Sequence, residues 1–115
     1  MAVNDHADDA LRALAEPRRR AILQLVAHEE LAAGEIAAAF EVTRPAVSQH
    51  LTVLKQAGLL TERRDGTRRL YRARPEGLAQ LRQLLDEMWA GALDTARRLV
   101  EAERGVDQGD RAAAG

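Results

Sequence analysis

Cysteine is absent from this 115-residue sequence, which excludes a disulfide framework, a thiolate metal site and a cysteine nucleophile. Aromatic residues are scarce, since Phe40, Tyr71 and Trp89 are the only three. The N-terminus lacks the basic and apolar segments of a secretion signal, and no apolar run approaches the roughly 18 residues of a membrane span. These absences predict a soluble cytoplasmic protein with no membrane partner.

Catalytic patterns are also missing. The sequence has no nucleophile elbow, no glycine-rich phosphate loop and no metal-ligand spacing. Its length and its content of Leu, Ile, Val and Ala suit one domain with a modest core. We therefore predict a single non-enzymatic domain with no catalytic residues, no cofactor and no metal.

The charges are distributed unevenly, although the net charge is only −1. Residues 1–16 and 75–115 each carry a net charge of −3, whereas residues 44–74 have eight bases against Glu62 and Asp65. A basic centre between acidic ends predicts a localised contact with a polyanion.

The centre of this basic stretch is a predicted helix that begins after Thr43 and ends before Gly58. Thr43 is a favourable N-cap, and Gly58 can adopt the left-handed conformation that ends a helix. At 100° per residue, Val47, Leu51 and Leu54 share one side. The other side has no acid and carries Arg44, Ser48, Gln49, Thr52, Lys55 and Gln56.

Side chains of these polar types donate to phosphates and to base edges in a major groove. Such a face on an isolated helix is more often merely solvated, so the flanking segments decide the interpretation. We predict DNA contacts from Thr43, Arg44, Ser48, Gln49, Thr52 and Lys55.

Three short helices are predicted before this one, at 8–15, 17–28 and 33–40. The third is joined to the donor-rich helix by a tight link, which is the helix-turn-helix arrangement. Arg18, Arg19 and Arg20 begin the second helix, where they oppose the helix dipole. They are either candidate phosphate contacts or a solvated cluster.

A β-hairpin is predicted next, with strands at 59–65 and 67–73 and a turn at Asp65-Gly66. Four arginines surround its tip, where a polyanion would relieve their repulsion. The predicted wing contacts are Arg63, Arg64, Arg68 and Arg69.

Helical periodicity then continues from Glu76 to about Glu103. Its apolar stripe is too long for so small a domain to cover, which predicts a homodimer. The stripe includes Leu78, Leu81, Leu85, Met88, Trp89 and Ala92. The ends at 1–7 and 105–115 lack apolar periodicity and are predicted to be disordered, leaving 8–104 as the folded domain with its dimerisation helix at 76–103.

Three segments closely resemble the ArsR/SmtB family of dimeric bacterial repressors: LAEPRRRAILQLV, GEIAAAFEVTRPAVSQHLTVLKQAGLL and RRDGTRRLYRARPEGL. The resemblance covers about residues 10–90. It implies a mainly α, five-helix winged helix-turn-helix and a homodimer formed through the first and last helices, the first contributing Leu11 and Leu14. Thr43, Arg44, Ser48 and Gln49 match the family's DNA-reading positions, and Arg64, Arg68 and Arg69 match its wing.

Two departures from the family pattern are informative. Ala32 and Gly34 occupy the positions where metal-sensing members have a Cys-x-Cys pair, and no histidine follows His50 to complete the other family metal site. The resemblance therefore implies the metal-independent branch, and the residues indicate no particular effector ligand. The turn position that is usually Gly in the family is Glu41.

The leading interpretation is a sequence-specific DNA-binding repressor acting as a dimer on an inverted repeat. The alternative is a winged-helix protein-interaction module in which the arginines only aid solubility, with RNA binding as a weaker third. Protein-binding faces are rich in aromatic residues, and the acid-free arc from Arg44 to Gln56 has none.

Overall fold

The computed structural model describes the backbone of residues 5–114 and the side chains of residues 7–105. It contains two compact units, divided between Arg82 and Gln83. The elements are α1 (Asp5–Ala13), α2 (Pro17–His28), β1 (Leu31–Ala32), α3 (Ala33–Phe40), α4 (Arg44–Gln56), β2 (Leu60–Asp65), β3 (Arg68–Ala73) and α5 (Pro75–Ala114). The predicted mainly α architecture with a β-hairpin wing is confirmed.

The boundary between α1 and α2 is set by Pro17. The sequence predicts a helix to Ala15, but α1 ends at Ala13, because a residue that precedes proline avoids helical backbone angles. Pro17 then occupies the first turn of α2, and the Glu16 carboxylate caps that helix by accepting from the Arg19 N–H at 3.0 Å. The predicted bounds of α2 are confirmed.

The turn between α3 and α4 depends on one residue with left-handed backbone. Glu41 has φ 56° and ψ 41°, and its N–H and that of Val42 both donate to the Ala37 carbonyl. Thr43 then caps α4 with its hydroxyl oxygen, which accepts from the Ala46 N–H at 3.3 Å. The predicted helix-turn-helix is therefore present, with α3 at the predicted bounds.

The C-terminus of α4 is closed by a Schellman motif. Gly58 has φ 77°, its N–H donates to the Lys55 carbonyl, and the Leu59 N–H donates to the Leu54 carbonyl, both at 3.0 Å. The left-handed Gly58 expected from the sequence is confirmed. With capped ends, α4 has fixed limits along its axis.

The wing belongs to a three-stranded antiparallel sheet with the order β1-β3-β2. β2 and β3 pair from Leu60 opposite Ala73 to Asp65 opposite Arg68, as the predicted hairpin requires. β1 pairs Leu31 with Tyr71 and was not predicted, because two residues are too few to show an alternating pattern.

The core of the first unit is formed by side chains from α2, α3, α4 and the segment after α4. Fully buried are Ile22, Val26, Ile36, Val47, Leu51, Leu54 and Leu59. Each such side chain stabilises the fold by roughly 1.5–3 kcal/mol. Leu81 is 7 % exposed and belongs to this core, which corrects its prediction as a dimer-interface residue.

The helix α5 extends further than its predicted bounds of 76–103. Pro75 suits the first turn of a helix, and the helical backbone continues through residues 105–114, where the sequence predicts a disordered tail. That expectation relied on apolar periodicity, whereas the alanines of the tail have the highest helix propensity of any residue. At the other end, residues 1–4 lie outside the described residues, and Asp5 to Ala7 form the first turn of α1 instead of a disordered segment.

The left-handed Glu41 generates a stability prediction. Glu41→Gly removes the steric cost of a side chain at this φ, and we expect the free energy of unfolding to rise by about 1 kcal/mol. In thermal melts followed by circular dichroism, the midpoint should rise by about 4–8 °C. Glu41→Ala keeps a Cβ atom and should show no such gain. An unchanged or lower midpoint for the glycine variant would contradict the steric explanation.

Candidate nucleic-acid interface

One face of α4 is exposed along its whole length. The Thr43 cap and the five predicted contact residues on the helix are all exposed: Arg44, Ser48, Gln49, Thr52 and Lys55. They face outwards because Val47, Leu51 and Leu54 on the opposite side are buried. The structure thus presents the donor-rich face that the sequence predicts.

Three of these polar groups have partners within the chain. Thr43 is occupied as the cap of α4, the Thr52 hydroxyl donates to the Ser48 carbonyl at 2.9 Å, and Lys55 Nζ donates to Glu62 Oε2 at 3.4 Å. Arg44 and Gln49 have no ion pair or side-chain hydrogen bond among the described residues. Their side chains are available for a partner without loss of an internal contact.

A cavity of about 590 Å³ lies between α3, the first half of α4 and the wing. Arginines dominate its charge. The polar side chains that line it are Glu35, Arg44, Ser48, Thr67, Arg68, Arg69 and Tyr71. A cavity with three guanidinium groups and several hydroxyls is chemically suited to phosphate oxygens.

The four wing arginines have different surroundings. Arg63 forms two parallel hydrogen bonds to Glu30, with Nε to Oε2 at 2.7 Å and Nη2 to Oε1 at 2.6 Å. Arg68 forms an ion pair with Glu35. Arg64 and Arg69 are direct cross-strand neighbours and therefore project from the same face of the hairpin. Arg63 does not line the cavity, whereas Arg68 and Arg69 do.

Two pKa shifts follow from these contacts. The hydrogen bonds from Arg63 hold the pKa of the Glu30 carboxyl below its ordinary value, so this pair stays ionised at neutral pH. Burial, and then the nearby Glu62 carboxylate, raise the pKa of the Tyr71 hydroxyl. Tyr71 is therefore a neutral hydroxyl group at the edge of the cavity.

The candidate phosphate contacts on α2 each have a structural partner. Arg19 Nε donates to the Ala13 carbonyl at 2.5 Å, and Arg20 Nη1 donates to the Leu14 carbonyl at 2.7 Å. Arg18 lies over the Phe40 ring, with Cζ 5.6 Å from the ring centroid. Arg19 and Arg20 thus satisfy carbonyls at the C-terminus of α1, a role that the sequence did not reveal.

The predicted dimer residues fall into two groups. Leu11, Leu14 and Leu78 are half-buried against the core of the first unit. In the second unit, Leu85, Met88 and Trp89 are 45 %, 54 % and 68 % exposed, and Ala92 is also exposed. Leu93, Leu99 and Val100 extend this apolar surface. A helix surface with so many exposed large apolar side chains is typical of an interaction site.

Sequence reasoning missed the two carboxylates that hold the wing, Glu30 and Glu35. Both are 33 residues away from their arginines, so no local spacing indicates the pairing. Glu35 does carry a local signal, because it lies three residues after the start of α3 and accepts from the Ala32 N–H at 3.0 Å. That signal was weak because Ala32 has no side-chain oxygen to complete a capping box.

Within the described part of the chain, no three His, Asp or Glu side chains converge as metal ligands would. Over the same residues, no helix is long and apolar enough to cross a membrane.

A donor-rich helix exposed beside an arginine-bearing hairpin defines a winged helix-turn-helix DNA-binding protein. The model of the family described as "Bacterial regulatory protein, arsR family" matches residues 16–62. The HTH-type transcriptional regulator Rv2034 of Mycobacterium tuberculosis is 51% identical over 96 residues, which cover 84% of this chain and 90% of that protein. This chain belongs to the ArsR family of bacterial transcriptional regulators.

Two further comparisons are informative. The transcriptional repressor SdpR of Bacillus subtilis is 37% identical over 59 residues, or 51% of this chain and 66% of SdpR. The solution structure of Mb0332 from Mycobacterium bovis, described as a homodimeric winged helix-turn-helix DNA-binding domain, has a TM-score of 0.65 and 37% identity, covering 77% of this chain and 82% of that one. These relatives are regulators of transcription rather than enzymes.

Proposed function

We propose that this protein represses transcription in the bacterial cytoplasm as a homodimer, by binding an inverted-repeat operator without sensing metal. The observation that carries the proposal is the exposed face of α4, which has no acid and borders the arginine-lined cavity. DNA is the partner whose grooves offer acceptors for such donors and whose backbone is anionic.

Roles can be proposed residue by residue. Gln49 can form two hydrogen bonds with adenine, and Arg44 and Ser48, near the N-terminus of α4, reach base edges or adjacent phosphates. Arg64, Arg68 and Arg69 contact the flanking backbone or the minor groove. Arg63 is bound to Glu30 and supports the wing instead.

A second copy of the chain is the proposed partner of α5. The exposed Leu85, Met88 and Trp89 need an apolar surface, and Mb0332 is described as homodimeric. A two-fold dimer would place two α4 helices in successive major grooves, which requires inverted half-sites about 10–10.5 base pairs apart.

Independence from metal is proposed from the residues before and within α3. Ala32 is the N-cap of α3 and Gly34 lies in its first turn, and neither side chain can donate a lone pair to a metal. The family's Cys-x-Cys chemistry therefore has no counterpart at this site.

The first prediction separates base reading from anchoring. Gln49→Ala should cost about 1–3 kcal/mol on the preferred site and relax the preference at one position of each half-site, with little change in salt dependence. Arg69→Ala should weaken binding to all duplexes and lower the slope of log K against log salt by about 0.9 per lost phosphate contact, nearly doubled in a dimer. Selection from random duplex DNA followed by fluorescence anisotropy measures both effects.

Gln56→Ala is the matched control for Gln49→Ala, because Gln56 is also exposed on α4 but lies at its C-terminal end, away from the bases. It should leave the site preference unchanged. If the wild type binds no duplex at 50 mM salt, the proposed function is wrong and the protein-interaction alternative replaces it.

A second prediction concerns the dimer. Leu85→Glu should place an unpaired charge in the proposed interface and raise the dimer dissociation constant by about two orders of magnitude or more. Analytical sedimentation would detect the monomer, and DNA affinity would fall although no DNA-contacting residue has changed. Gln83→Glu adds a charge on the opposite side of α5 and should have neither effect. A wild type that sediments as a stable monomer would disprove the proposed assembly.

A third prediction concerns metals. Zn²⁺, Cd²⁺ or As(III) at micromolar concentration should leave DNA affinity unchanged, because the chain has no cysteine and places Ala32 and Gly34 at the ligand positions. The measurement is anisotropy with the selected duplex before and after metal addition. A tenfold loss of affinity that a chelator reverses would contradict metal independence.

A further inference from the structure

Glu35 is the one acid among the residues that line the arginine-bearing cavity. It lies on α3, whereas the proposed DNA contacts around it belong to α4 and the wing. A carboxylate at a surface that must approach phosphates is unfavourable for binding, because like charges repel. Its position therefore needs an explanation beyond the binding of DNA itself.

Two contacts hold this carboxylate in place. Glu35 Oε1 accepts from the Ala32 N–H at 3.0 Å, which fixes it to the N-terminus of α3, and the same oxygen contacts Arg68 Nη2. The two side chains of the ion pair are 49 % and 54 % exposed. The carboxylate is therefore anchored to the helix, while Arg68 reaches it across the cavity from β3.

An anchored acceptor beside Arg68 competes with any phosphate that enters the cavity. A guanidinium group that turns towards a phosphate leaves the carboxylate without a counter-charge, and one that stays with the carboxylate contributes less to the phosphate. The free energy gained from the Arg68 contact is reduced in either case. The reduction applies equally to operator and unrelated DNA, because phosphates are the same in both.

We propose that Glu35 is a positioning residue that holds Arg68 over the cavity and competes with DNA phosphates for it, so that it lowers the affinity of the protein for every duplex. This inference rests on the proposed function. It gives Arg68 and Arg69 different roles: Arg69, which has no ion pair among the described residues, anchors the backbone fully, and Arg68 does so against an internal competitor.

The Glu30–Arg63 pair provides a natural contrast within the same hairpin. Its two hydrogen bonds are at 2.7 and 2.6 Å, and neither residue lines the cavity. Removal of the Glu30 charge changes the net charge of the chain by the same amount as removal of the Glu35 charge. It should not, however, release an arginine into the cavity.

The test is Glu35→Gln, which deletes the charge but keeps an oxygen for the Ala32 N–H, since Gln also serves at this capping position. We expect the dissociation constants for the selected duplex and for an unrelated duplex to fall by the same factor, between about twofold and thirtyfold for a dimer with two such pairs. The slope of log K against log salt should steepen by up to about 0.9 for each Arg68 released. The measurements are anisotropy titrations of the full chain at several salt concentrations.

Two further variants attribute the effect to this pair. In an Arg68→Ala background, Glu35→Gln should lose most of its gain, because the competed group is gone. Glu30→Gln should leave the salt slope unchanged. The inference is overturned if Glu35→Gln binds DNA no more tightly than the wild type, if Glu30→Gln gives an equal gain and slope change, or if the gain persists without Arg68.

A comparison that leaves Glu35 intact covers the case in which Glu35→Gln does not fold. Arg68→Gln should then reduce DNA affinity less than Arg69→Gln does, and an equal or greater loss would overturn the inference. Failure of the proposed function is distinct from all these outcomes, because in that case the wild type itself binds no duplex. Specific binding by the wild type with no effect of Glu35→Gln would remove only the role of Glu35.

Discussion

The burial of one side of α4 is the constraint on which the rest of the structure depends. Val47, Leu51 and Leu54 are at most 2 % exposed, and this packing fixes the rotation of the helix about its axis. The polar residues on the other side must then face solvent. The Thr43 cap and the left-handed Gly58 fix where the helix begins and ends. A few local interactions and one apolar stripe thus determine where every proposed base contact lies.

The wing needs more support than its own hydrogen bonds provide, because an isolated two-stranded hairpin is only marginally stable in water. β1 adds a short third strand, and the Glu30 and Glu35 carboxylates pair with Arg63 and Arg68. Each exposed pair contributes little to stability, on the order of 0.2–1 kcal/mol. Their larger effect is to limit where the guanidinium groups can go, so the charge of the wing is partly arranged before any partner arrives.

Most of the fold could be predicted from the sequence because its signals are local. The Thr43 and Pro17 positions, the apolar spacing of α4 and the Asp65-Gly66 turn each act within a few residues, and those elements lie where they were expected. Contacts between distant residues left no such signal, which is why the wing clamps were missed. Leu81 illustrates a different limit: periodicity identified an apolar stripe on α5, but it could not tell which end of that stripe the chain's own core covers.

The back-bond of Thr52 has a chemical consequence for the exposed face of α4. Its hydroxyl hydrogen is engaged by the Ser48 carbonyl, so only oxygen lone pairs and a methyl group remain on its outer side. Among groups on base edges, those lone pairs match the exocyclic amines of adenine and cytosine, and the methyl matches that of thymine. A side chain that looks able to donate or accept is thereby restricted to one polarity, and the backbone of its own helix imposes the restriction.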